Sequence, residues 1–154
     1  MKYSKGLLLY EDEPVYGFFL RLISIVLPAG LLVLSGYLSS AGEKEGALVL
    51  LLEAFIVGAI FFVVFPRKYQ VYEDHLRIVL GGPFYIRIVF DKIRHISVTD
   101  RLVFSVNFAT RLTGKYVEIA QKRSWSVAIT PRNNEAFVEN ANRALNDWLK
   151  TSNS

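Results

Sequence analysis

The sequence predicts a chain of mixed α+β, mainly β class: a transmembrane helical hairpin followed by a small strand-rich domain closed by a C-terminal α-helix. Three observations carry this. Two long apolar runs, Tyr16 to Leu38 and Ala47 to Phe65, lie near the N-terminus. Beyond Phe65 apolar residues alternate with polar ones, and after Pro131 their spacing changes to three and four residues.

Residues 1–15 read as an N-terminal segment and residues 16–65 as the hairpin. At about 1.5 Å of rise per residue, each apolar run covers a hydrocarbon layer about 30 Å thick. The link Ser39–Gly46 is small, polar and glycine-bearing, which suits a turn at a membrane surface. Neither run has a polar face of helical period, so buried helices of a soluble bundle fit less well. A cleaved signal peptide competes for the first run, because Ser39-Ser40-Ala41 is a small-residue stretch. The run exceeds the roughly 7–15 residues of a signal core, however, and Glu11, Asp12 and Glu13 precede it. Lys2, Lys5, Arg21, Arg67 and Lys68 flank the runs on one side and only Lys44 lies in the link. By the distribution of basic residues, both termini face the cytoplasm and the chain is a multi-pass protein of the cell membrane.

The 154 residues leave room for one domain of about 90 residues after the hairpin. No cysteine is present, which excludes disulfides, thiolate metal sites and a cysteine nucleophile.

Within the runs, Glu53 is the sole acidic residue. An ionisable group at that depth marks a functional candidate, such as a proton or cation contact in an oligomeric two-span pore. The simpler expectation is a carboxyl bonded to Ser35 or Tyr37 of the first run. Arg21 is read as snorkelling to the headgroups beside Tyr16, Phe18 and Phe19. Pro28 should bend the first helix, and Gly30, Gly36 and Gly58 should permit close helix approach.

The domain is placed at residues 66–150, with 151–154 as a tail. Alternation predicts strands around Leu76–Leu80, Phe84–Phe90 and Leu102–Phe108, with others at Lys68–Tyr72, Arg94–Thr99, Tyr116–Ala120 and Trp125–Thr130. These make a meander of seven antiparallel strands. Thr130 or Asn133 can cap the final helix, whose stripe Phe137, Ala141, Ala144, Leu145 and Trp148 should be buried against the sheet.

Seven strands and one closing helix is the order of a pleckstrin-homology-like barrel. The runs Tyr69–Ile78, Gly81–Ile88, Phe90–Ile96 and Ile129–Phe137 resemble the small bacterial pleckstrin-homology-like domains carried behind two transmembrane helices. The resemblance covers roughly Arg67 to Leu149. It implies a membrane-associated module for protein interaction or self-assembly, in a family without an established general activity.

Chemistry-bearing constellations are sparse. His75 and His95 lack metal-ligand spacing and read as surface histidines, and no nucleophile elbow or phosphate loop occurs, so neither an enzyme nor a cofactor is expected. From Arg67 onward, fourteen basic residues face eight acidic ones. Such a domain at an anionic leaflet is attracted by about 1 kcal/mol per nearby basic residue. Arg67, Lys68, Arg87, Arg94 and Arg101 are therefore the candidate contacts of an anionic-lipid-binding module. The phosphoinositide-binding relatives carry basic residues between their first two strands, where the predicted strand count here puts Glu73-Asp74-His75. No nucleic-acid-binding motif appears, and the expected partners are membrane lipids, a protein partner or further copies of the chain.

Overall fold

The computed structural model describes residues 6–100, 105–108, 110 and 114–152. The order is β1 (Leu8–Asp12), α1 (Phe18–Ser40), α2 (Lys44–Val64), β2 (Lys68–Tyr72), β3 (His75–Val79) and β4 (Tyr85–Val89). A 3-10 turn (Phe90–Lys92) leads to β5 (Ile93–Thr99), β6 (Ser105–Phe108), β7 (Tyr116–Gln121), β8 (Ser126–Ile129) and α3 (Asn134–Ser152).

The expected closed seven-stranded barrel is not what forms. The strands make two open four-stranded sheets, ordered β1-β2-β3-β4 and β5-β7-β8-β6. The 3-10 turn separates β4 from β5 and no ladder joins them among the described residues. Nor is the order a simple meander, because β6 lies parallel to β8, with Ser105 opposite Ser126 and Phe108 opposite Ile129.

Strand β1 departs furthest from the sequence reading, which placed no strand before the hairpin. It runs antiparallel to β2 from Leu8 opposite Tyr72 to Asp12 opposite Tyr69, with a bulge after Leu8. The hairpin is thus inserted between the first two strands of a sheet, and chain on both of its sides builds one domain.

The two sheets and α3 enclose a core that includes Tyr69, Leu76, Ile78, Phe90, Ile119 and Phe137. Helix α3 is capped by Asn133, whose side-chain oxygen accepts the Ala136 N–H at 3.0 Å, while the Thr130 hydroxyl is engaged elsewhere. Phe137 is 1% exposed and meets Tyr10 and Tyr69 edge-on at 6.2 and 6.3 Å. Trp148 sits at the margin, half-buried and edge-on to Phe90 at 6.2 Å.

The 23 residues of α1 and 21 of α2 are long and apolar enough to cross a membrane, and most of their surface is exposed. The least exposed positions of α1 are Leu20, Ser24, Pro28, Leu31, Ser35 and Leu38; in α2 they include Ala47, Leu50, Ala54, Val57 and Phe61. This three- and four-residue spacing is the seam between the helices. Small side chains at Ser35, Ala47 and Ala54 allow the approach, and the Ser35 hydroxyl donates to the Ala47 carbonyl at 2.6 Å. Gly30 and Gly36, expected at this seam, are exposed instead, and a Cβ on either would have no neighbour within 4 Å. The turn is tighter than the sequence suggests: α1 ends at Ser40, and Gly42 supplies the left-handed residue, φ +92, after its C-terminus.

Candidate functional site

The root of the hairpin is where the chain's two halves converge. On the entering side the Val15 N–H donates to the Thr130 carbonyl at 2.9 Å and the Gly17 N–H to the Thr110 carbonyl at 2.8 Å. The buried Thr110 hydroxyl donates to the Val15 carbonyl at 2.7 Å and accepts from the Thr130 hydroxyl at 2.8 Å. Beside them the buried Tyr69 hydroxyl donates to the Phe108 carbonyl at 3.0 Å, and burial raises its pKa well above the usual phenol value, so it stays a donor. Satisfied polar groups of this kind fix the chain's exit direction.

On the returning side, the Arg67 N–H donates to the Val79 carbonyl at 2.6 Å and the Gly81 N–H to the Val63 carbonyl at 3.2 Å. The turn between β3 and β4 therefore satisfies a carbonyl of the last turn of α2. A Cβ on Gly81 would lie 1.6 Å from the Phe62 carbonyl oxygen, so only glycine admits this approach. The two sides are tied together as well: the Tyr16 hydroxyl donates to the Pro66 carbonyl, and its ring meets Phe65 edge-on at 6.2 Å. Phe84 and Tyr85, both about half exposed, flank the same turn.

Among the described residues, the basic side chains singled out in the sequence are engaged in different ways. Arg67 lies at the root with its guanidinium 4.9 Å from the Phe62 ring centre. Lys68 pairs with Glu11 of β1 at 2.6 Å; that bond raises the lysine pKa and lowers the glutamate's. Arg87 is half-buried and bound to Asp74 at 2.6 Å, and its cross-strand partner Arg77 stacks on Tyr85 at 3.9 Å. Arg94 is exposed on β5, and Arg101 lies outside the described residues.

Two further expectations change. His75 is not a surface histidine: it is 7% exposed, parallel-stacked on Tyr72 at 4.5 Å, with Nδ1 2.5 Å from Asp74. Burial lowers its pKa, outweighing the opposing effect of Asp74. His95 is exposed as expected. Glu53 is exposed on the flank of α2, while Ser35 spends its hydroxyl on Ala47 and Tyr37 is 67% exposed, so the expected carboxyl bond across the seam does not form. Because β1 precedes the hairpin, Glu73-Asp74-His75 is the second strand connection and the hairpin itself is the first.

The sheet domain is thus held at the foot of two helices long and apolar enough to cross a membrane. Residues 67–142 match the family model described as the bacterial PH domain. No curated protein and no solved structure matches the chain. The matched span begins at β2, so it excludes both the hairpin and β1.

Proposed function

We propose that this chain is a membrane-anchored binding module, in which the hairpin holds the PH domain against the cytoplasmic face of the cell membrane for protein interaction or self-assembly. The observation that carries this reading is the ladder between β1 and β2, which lie on opposite sides of the hairpin in sequence. Strands that share a sheet occupy one side of a membrane, so helices inserted between them must cross it an even number of times. The basic residues beside the runs favour the cytoplasm as that side.

An anionic-lipid role is supported by Arg67 at the root. Lys68 and Arg87, committed to carboxylates, have less to offer a headgroup. The pore reading rests on Glu53 alone, flanked on its face by Val49, Ile56 and Ile60, and the interaction reading is preferred.

The test is extraction of membranes from cells expressing the full chain. Retention after an alkaline carbonate wash, with release by detergent, is expected. Release by carbonate alone would contradict the anchor.

A further inference from the structure

We infer that the cleft beside the β7–β8 turn docks an acidic segment of a protein partner; this rests on reading the domain as a binding module and assigns the surface. The turn folds against the 3-10 turn through the Lys122 N–H, which donates to the Lys92 carbonyl at 2.8 Å. Between them lies a cleft of about 520 Å³ lined by Asp91, Lys92, Gln121, Lys122, Arg123 and Ser124. Trp125 stands beside it, 65% exposed, with its carbonyl held by the Gln121 side chain at 3.0 Å.

Cations outnumber the carboxylate here. Among the described residues, Lys68, Arg87, Arg132 and Arg143 are each paired with a carboxylate. Among those residues the side chains of Lys92, Lys122 and Arg123 make no ion pair or hydrogen bond, and Asp91 is the one acidic group lining the cleft. Three available cations around a concave surface complement an acidic chain.

An exposed tryptophan next to arginine adds the residue types that dominate binding energy at protein interfaces. The occupant is therefore an acidic peptide segment that also carries an apolar side chain for Trp125. A headgroup is the weaker fit. The turn that abuts α2 lies at the start of β4, and the cleft begins after its end. Those five residues span about 16 Å along the sheet at about 3.3 Å each, roughly two Debye lengths in physiological salt.

The test uses the full chain in nanodiscs of zwitterionic lipid. The probes are a fluorescent peptide of aspartate and glutamate with one leucine and one phenylalanine, and its asparagine and glutamine counterpart. The acidic peptide should bind at least about tenfold more tightly, and weaken as salt rises. Lys122→Glu with Arg123→Glu should lower its affinity about tenfold or more, and Trp125→Ala several-fold. Arg143→Glu, on α3, should leave it unchanged, and circular dichroism should report all variants folded. Equal affinity for both peptides, binding of neither, or indifference to the charge reversal would overturn the inference. So would reversal-sensitive binding of anionic vesicles or DNA without binding of the peptide. Carbonate release would instead defeat the anchor while leaving peptide binding intact.

Discussion

The amide of Gly81 donates to the carbonyl of Val63 at 3.2 Å, so the β3–β4 turn is fastened to the last turn of α2. Gly81→Ala puts a methyl group 1.6 Å from the Phe62 carbonyl oxygen, a distance no packing tolerates. The turn must withdraw and lose the bond. A cost of about 1–3 kcal/mol, typical of overpacking, is expected in thermal melts of the detergent-solubilised chain. An unchanged melting temperature would mean that domain and hairpin are not joined here.

Strand β1 should be needed for the domain to fold stably. Tyr10 packs on Phe137, and β1 covers the edge of β2. Residues 67–154 alone lack both and should melt at lower temperature, or aggregate through the bared strand. Replacing residues 18–64 by a short glycine-serine linker, with residues 1–17 retained, should give a soluble, cooperatively melting domain. If the piece that begins at Arg67 is equally stable, β1 contributes little.

Acidification should destabilise the domain through His75. Its folded pKa lies below the ordinary 6.5 because burial disfavours the charged ring. The unfolded chain therefore takes up the proton first, and stability that is full above about 6.5 is lost as pH falls below that value. His75→Phe, which keeps a ring on Tyr72, should flatten the melting temperature between pH 7 and pH 5. Stabilisation of the parent on acidification would show that the Asp74 contact prevails over burial.

The two aromatics of α3 should differ in weight. Phe137 is enclosed by Tyr10 and Tyr69, and Phe137→Ala should cost about 3–5 kcal/mol, a large share of a small domain's stability. Trp148 is half-buried, and Trp148→Ala should cost less. Chemical denaturation of the two variants gives the order directly, and a larger loss at Trp148 would reverse the assignment.

What was legible in the sequence followed from local period. Alternation at Leu76–Leu80 located β3 to within a residue of its ends at His75 and Val79, and the stripe from Phe137 to Leu145 identified the buried face of α3. β1 escaped because it is an edge strand with a mostly exposed pattern in which Tyr10 alone packs against the core. The open sheets escaped because closure depends on curvature between strands, which no single strand encodes. Of the candidate basic residues, Lys68 and Arg87 proved to be paired; their partners, Glu11 and Asp74, lie 57 and 13 residues away. The basic cleft depends likewise on the β5–β7 register, which brings Lys92 to Lys122.

The central claim, a two-span anchor with both halves of one domain on the cytoplasmic side, is tested most directly by labelling single cysteines. The parent has none, so every signal is assignable. Glu13→Cys, Glu43→Cys and Arg143→Cys place a thiol at the root, at the hairpin turn and on α3, all at exposed positions. In intact cells a membrane-impermeant maleimide should label position 43 alone, and after permeabilisation all three. Labelling of 13 or 143 in intact cells, or opposite behaviour of those two positions, would contradict the account.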